Sequence, residues 1–304
     1  MGSGPHMPFK TGHILKASLL ALTLTGAAQA SNADEIFGER ALALAIDDRC
    51  ELFTDRERNA LDAARLQARG ILLRQGISVH ALDDYSRELD AQASQTACDL
   101  PEVADLRYRV GEAFLAWQNI RDMSFPGGHY DWHATRSIMP GEPHWAIHQT
   151  VGDMTVGLSR DTDNYRFSAA LPAIPGAASA VLVLRDTDRE PDLYDPTLNG
   201  HFAAPSGAEW ADWTPPRFAR SVVWAAGMGS RKDRSGLAHS EDALVFHFSN
   251  RASDELSALD PREAAIIEVL GRNGDVLAQF YFEVGDFAAA RAFIEGGAPL
   301  RPRS

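Results

Sequence analysis

The chain has 304 residues, of which 45% are hydrophobic, and it carries a formal net charge of -13. This length and composition allow a buried core in one or two domains. So acidic a chain argues against nucleic acid and anionic lipid as partners. We therefore expect an acidic, soluble protein.

The N-terminal 30 residues are expected to be absent from the mature protein. Residues 1–7 have the composition of an expression-tag remnant, with the native start at Met7. Lys10 and Lys16 flank the start of an apolar run that ends at the small-residue site Ala28 to Ala30. This pattern predicts a secretory signal peptide that is cleaved near Ala30. The run is shorter than the roughly 20 residues that a membrane-spanning helix needs, so we expect export to the periplasm with no membrane span.

A helical region, residues 31–123, follows the signal peptide. Thr54 and Glu57 have the spacing of a capping box, in which each side chain satisfies a free backbone amide at the start of a helix. Apolar periodicity and start and stop signals predict four helices: Asp34–Phe53, a second from Thr54 to Gly76, a third near Ser78–Ala97, and a fourth that begins at Pro101.

The chain has two cysteines, Cys50 and Cys98, and both lie in the helical region. They come just before the second helix and just after the third, so a disulfide would clamp the open end of a helical hairpin. An exported chain folds in an oxidising compartment, where such a bond forms. Two buried free thiols are the alternative, and neither cysteine has the context of a catalytic nucleophile.

The remainder, residues 124–304, predicts a mostly antiparallel, β-sandwich-like domain with a C-terminal helix. Candidate strands are short and are separated by turn clusters. Near the end, the Asn273-Gly274 turn favours a hairpin over the competing helix start at Asp260, and Phe287–Glu295 predicts the last helix. The fold class is therefore α+β.

Four of the 10 histidines lie between Phe125 and Thr150, where the helical region gives way to strands. Two alternating strands joined by a turn at Met139 to Glu142 would form an amphipathic hairpin. In that register His133 lies opposite His148, and Ser137 lies opposite His144. The predicted apolar face contains Trp132, Ala134, Ile138, Trp145 and Ile147, and the predicted polar face contains His133, Thr135, Ser137, His144, Ala146 and His148.

This register predicts one candidate metal site. The Cβ atoms of His133 and His148 would lie ~5 Å apart, and His144 and Glu142 are the nearest further ligands for a zinc or copper ion. The HxxxH spacing that includes His129 cannot work within a strand, because four residues of strand rise roughly 13 Å. The alternative is a polar sheet face that holds no metal.

The β region resembles a known family. A strand containing Trp145, the segment Ser168–Pro172, the strand Val181–Leu184 and the run Phe280–Ala290 follow one another as in the β domain of the invasion-associated locus B proteins. The resemblance covers residues 144–295, and the chain lacks that family's cysteines there. These are small exported envelope proteins of alphaproteobacteria without established catalytic residues. The resemblance implies a role in the cell envelope, and it provides no catalytic residues that could be assigned to this chain.

We expect a non-catalytic exported protein that binds or organises a partner in the bacterial cell envelope. No catalytic residue is nominated, because GxSxG, SxxK and glycine-rich phosphate loops do not occur in a matching context. His129, Trp132 and Trp145 are the candidate binding residues, and the partner is an envelope protein or another periplasmic ligand. A metal-dependent function at the histidine cluster is the alternative, and a hydrolase comes third. No cofactor other than that zinc or copper ion is expected.

Overall fold

The computed structural model describes residues 32–138, 144–161, 164–193, 209–229, 237 and 243–297. The predicted signal peptide and the predicted turn with Glu142 lie outside these residues. Within them, the α-helices are α1 (Ala33–Cys50), α2 (Asp55–Arg74), α3 (Val79–Ser94), α4 (Pro101–Trp117), α5 (Asn250–Ser257) and α6 (Phe287–Gly296). Two 3-10 helices span Glu209–Trp213 and Arg217–Ala219. The strands are β1 (Asp122–Phe125), β2 (Trp132–Thr135), β3 (His144–Val151), β4 (Met154–Asp161), β5 (Asn164–Leu171), β6 (Ser179–Arg185), β7 (Arg220–Gly229), β8 (Leu244–Phe248), β9 (Ala264–Leu270) and β10 (Val276–Glu283).

Local sequence signals define the boundaries of α2, as predicted. The Thr54 backbone amide donates to the Glu57 carboxylate at 2.8 Å, and the Glu57 amide donates to the Thr54 hydroxyl at 3.4 Å. Both halves of the capping box are therefore present. Gly76 follows the helix with a φ of 90°, a left-handed conformation that glycine adopts without strain.

The predicted disulfide is confirmed. Cys50, the last residue of α1, is bonded to Cys98, and their Cα atoms lie 5.6 Å apart. The bond ties the end of α1 to the turn that precedes α4, so it encloses α2 and α3. Buried side chains of all four helices, among them Phe37, Leu73 and Leu82, form one apolar cluster beside it.

The ten strands form one antiparallel sheet in the order β1-β2-β3-β4-β5-β8-β7-β6-β9-β10. This sheet bends back on itself, because Phe167 of β5 and Phe282 of β10 contact each other across the core although four strands separate them in the order. Between the two halves lies α6, whose Phe287 contacts Phe167 and, at 5.0 Å, Trp132. The architecture is therefore α+β with a mostly antiparallel sheet, as predicted.

Helix α2 connects the helical cluster to the core under the sheet. Leu73 packs in the helical cluster, whereas Ala63 belongs to the core under the sheet. On the face towards α6, both guanidinium Nη atoms of Arg74 donate to the Asp286 carboxylate at 2.8 and 2.9 Å. Gly70 allows this approach, since a Cβ at that position would overlap the Asp286 carboxylate.

Asp286 is buried at the start of α6, and its environment changes its protonation. Burial raises the pKa of this carboxyl to about 6, and hydrogen bonds from Arg74 only partly oppose that rise. The Asp286 carboxyl group, although it is paired with Arg74, therefore takes up a proton far more readily than an exposed aspartate does.

The terminal hairpin of β9 and β10 is present, and the competing helix start at Asp260 does not extend into a helix. Gly274 has a φ of 82° in its turn. Helix α5 was not predicted from the sequence. It has only eight residues, and packing of Ala252 and Leu256 against the core stabilises it.

None of the described helices has both the length and the apolar character needed to cross a membrane.

Candidate functional site

The paired histidines lie side by side on the outer face of the sheet. Strands β2 and β3 pair so that His133 is opposite His148 and Ala134 is opposite Ile147, which confirms the predicted register. Ala134 and Ile147 are buried in the core, so the two histidines project to the opposite, outer side. Their ring centroids are 5.4 Å apart, and His133 is exposed.

A hydroxyl group on the edge strand orients the first of these rings. Ser124 of β1 is the cross-strand partner of His133, and its Oγ lies 2.9 Å from the His133 Nδ1 atom. A hydrogen bond at one ring nitrogen fixes the orientation of an imidazole and leaves its other nitrogen available for a ligand.

A β-bulge in β3 changes the predicted faces of this strand. Trp145 pairs with Ser159, but Ile147 pairs with Leu158, so Ala146 is an extra residue without a partner. The extra residue puts Trp145 on the outer face, whereas we predicted it on the apolar face with Ile147. Its ring lies 6.5 Å from the His148 ring.

The same bulge puts His144 on the inner face, opposite Arg160, whereas we predicted it beside His148. Its Nε2 atom donates to the Ser137 carbonyl oxygen at 3.0 Å. Because His144 and His148 project from opposite faces of the sheet, His144 cannot join His133 and His148 around one ion. Glu142, the other predicted ligand, lies outside the described residues.

The three predicted binding residues occupy different environments. Trp132 is completely buried, and its indole N–H donates to the Val284 carbonyl oxygen at 2.8 Å, so it is a core residue and not a contact for a partner. Trp145 is half-buried and donates its indole N–H to the Leu237 carbonyl oxygen. His129 is exposed, with its ring 6.3 Å from that of Trp210.

The outer-face histidines belong to a longer row that crosses six strands. Successive cross-strand partners define this histidine row as Ser124, His133, His148, Gly157, Ser168 and His247. At its far end the Ser168 Oγ lies 2.9 Å from the His247 Nδ1 atom. Gly157 has a φ of 150°, and a Cβ there would overlap the Ile147 carbonyl oxygen, so the position between His148 and Ser168 carries no side chain.

The chemistry available to the histidine row is hydrogen bonding and metal ligation. Ser168 is adjacent to an imidazole, but it is completely buried and its hydroxyl also contacts the Ser159 hydroxyl at 2.8 Å. An external substrate therefore cannot reach it as a nucleophile. Within the described parts of the chain, no three histidine, cysteine or acidic side chains are close enough to hold a metal ion together.

Sequence reasoning did not find Ser168 and His247 as members of this row. They are 79 residues apart in the chain. Strand β8 lies beside β5 because the intervening strands β6 and β7 are placed beyond β8 in the sheet. Neither residue has a motif around it, and no local signal specifies a pairing over such a distance.

Comparisons with known proteins find no matching family model, no matching curated protein and no matching solved structure.

Proposed function

We propose that this is an exported protein of the bacterial cell envelope that acts by non-covalent binding, with the exposed part of the histidine row as its contact surface. The disulfide between Cys50 and Cys98 is compatible with an oxidising location outside the cytoplasm. The periplasm is the proposed compartment, on the basis of the signal-peptide pattern in residues 8–30.

The observation that carries the proposal is the placement of His133 and His148 next to each other on the outer sheet face, where His133 is exposed and His148 is half-buried. Their imidazoles both donate and accept hydrogen bonds, and Trp145 adds an aromatic surface beside them. Polar groups and an aromatic ring on a rigid sheet are well suited to recognise a partner, because little side-chain freedom is lost on binding.

Site-specific photo-crosslinking in the periplasm tests this proposal. A photoreactive residue replaces His133 in one variant and Tyr108, an exposed residue of α4, in a matched control. We expect one cross-linked species at position 133 that persists in chelator, weakens in a His148→Ala background, and does not form at position 108. Identical products at both positions, or none at position 133, would contradict the proposal.

Binding of zinc or copper by the same pair is the second candidate function. It is favoured by the hydroxyl of Ser124 at the His133 Nδ1 atom, since ligating histidines have a hydrogen-bond partner at their other nitrogen. Calorimetry with Zn²⁺ and Cu²⁺ should then give micromolar or tighter binding that is lost in His133→Ala and His148→Ala variants with unchanged folds. Binding weaker than that would rule out the metal function.

A further inference from the structure

Four polar residues occupy neighbouring positions on the inner face of the sheet, at the end where β2 stops and β3 begins. Arg160 of β4 is the cross-strand partner of both His144 in β3 and Tyr165 in β5. Arg136 follows β2 and continues the inward alternation of Trp132 and Ala134. We call the residues Arg136, His144, Arg160 and Tyr165 the inner-end cluster.

Arg136 is a buried cation that has no carboxylate partner among the described residues. It is 1% exposed, and its guanidinium lies between the rings of Trp117 and Phe293, at 3.8 and 3.7 Å from their centroids. Its Nε and Nη1 atoms donate to the carbonyl oxygens of Phe293, Trp117 and Ile120. Burial lowers the pKa of Arg136 to about 10.

The carbonyl oxygens of Trp117 and Phe293 belong to the C-terminal ends of α4 and α6, where the helix dipoles favour a cation, and that of Ile120 lies just beyond α4. They do not satisfy the whole group, because the Arg136 Nη2 atom is buried and has no hydrogen-bond partner. An unpaired buried donor on a charged group is unfavourable and calls for an acceptor.

Whereas Arg136 has a buried donor without an acceptor, His144 has a buried acceptor atom without a donor. Its Nε2 atom faces the Ser137 carbonyl oxygen, which can only accept, so Nε2 carries the proton. In the neutral ring Nδ1 is then a bare acceptor, and this atom is also buried without a partner. Of the three buried polar side-chain atoms without a partner in the described residues, two therefore belong to the inner-end cluster.

Arg136 gives the cluster a buried positive charge in a chain whose net charge is -13. The Arg160 Nη1 atom donates to the Tyr165 hydroxyl at 3.3 Å, which links these two residues within the cluster. Burial raises the pKa of Tyr165, and the Glu295 carboxylate adds to that rise. Glu295 is held by Arg291 at 2.8 Å, so it does not neutralise Arg136.

We propose that the inner-end cluster binds a small oxyanion that carries a hydroxyl group, of which hydrogen phosphate is the simplest. An anionic oxygen of the ligand accepts from Arg136 Nη2, and its hydroxyl donates to His144 Nδ1. The half-buried rings of His144 and Tyr165 are the side from which such a ligand enters. This site is on the opposite face from the histidine row, so it does not depend on the function proposed above.

Calorimetry on the full mature chain with inorganic phosphate, at constant ionic strength in chloride, tests the proposal. We expect a Kd of ~1 mM or tighter. Sulfate, which has no hydroxyl at neutral pH, should bind roughly tenfold more weakly because one hydrogen bond is lost. Lactate and methyl phosphate extend the series: binding of lactate identifies a hydroxy acid as the source of the ligand group, whereas the methyl phosphate dianion, which has no hydroxyl, should bind as weakly as sulfate.

Variants separate a binding site from a structural arginine. His144→Phe keeps the ring shape and removes Nδ1, so phosphate binding should weaken by roughly tenfold, whereas the matched His133→Phe on the outer face should bind as the wild type does. Arg136→Lys keeps the positive charge but loses the forked geometry of the guanidinium, so it should weaken phosphate binding further. If Arg136→Lys does not fold, the comparison of His144→Phe with His133→Phe still tests the site. Equal binding of sulfate and phosphate, unchanged binding in His144→Phe, or no phosphate binding at all would overturn the proposal.

Discussion

The burial of Asp286 should make the stability of this protein depend on pH in an unusual direction. Burial raises the pKa of Asp286 from an ordinary value of 3.8 to about 6, so the native state binds this proton more tightly than the unfolded chain does. The stability that results is complete below pH 3.8 and is lost as pH rises through about 6. A rise of about two pKa units corresponds to about 3 kcal/mol of unfolding free energy.

Urea unfolding at pH 4, 5, 6 and 7 measures this contribution. Asp286→Asn removes the titrating group and keeps its shape. The unfolding free energy of the wild type minus that of the variant should therefore fall by about 2.4 kcal/mol between pH 4 and pH 7, since the unfolded carboxyl is already partly deprotonated at pH 4. The difference between the two proteins, rather than either curve alone, isolates Asp286 from the other carboxylates.

Arg74→Met provides the matched test of the same pair. Without the adjacent cation the pKa of Asp286 should rise further, so the loss of stability should move to higher pH than in the wild type. If wild type and Asp286→Asn gave parallel curves over this range, or if Arg74→Met moved the transition to lower pH, the assignment of this pH dependence to Asp286 would be refuted.

Three further changes test other parts of the fold. Reduction of the bond between Cys50 and Cys98, whose sequence separation is 48, should lower the unfolding free energy by about 4 kcal/mol on the chain-entropy estimate, and identical urea midpoints with and without reductant would contradict it. Gly157→Ala should lower the unfolding free energy by about 2–3 kcal/mol, since a Cβ there overlaps the Ile147 carbonyl oxygen. A change below about 0.5 kcal/mol would show that β3 and β4 can move apart to accommodate the methyl group. Trp132→Phe should lower it by about 1–3 kcal/mol, because the Val284 carbonyl oxygen loses its buried donor, and near-UV circular dichroism should confirm an intact core.

Local signals predicted the features that short stretches of chain determine. The capping box of Thr54 and Glu57 depends on residues three apart, and the Asn273-Gly274 turn joins adjacent strands. The register of His133 with His148 was also predicted, because the alternation of polar and apolar residues is strong on both strands.

The errors arose where packing decides the structure. The bulge at Ala146 has no sequence signal of its own, and one extra residue was enough to exchange the faces of His144 and Trp145. Trp132 was nominated as a binding residue, but it is completely buried, in agreement with the alternation that placed it on the predicted apolar face.

Non-local pairing was the other limit. The row that unites His148 with His247 depends on the position of β8 beside β5, which no local stretch specifies. The inner-end cluster was missed for a different reason: its residues belong to β3 to β5 and the end of β2, but the unpredicted bulge at Ala146 is what puts His144 on the inner face.

The central position of α6 has a consequence for the order in which the protein is made. The sheet closes around Phe287 and Phe293, and the helical cluster is fixed to the same helix through Arg74, yet α6 is the last of the described elements to be synthesised. A chain still emerging from the ribosome, complete only as far as β10, presents an open sheet whose inner face is without its central helix. Completion of the core is therefore a late event, because the space inside the sheet is filled only when the C-terminal helix is present.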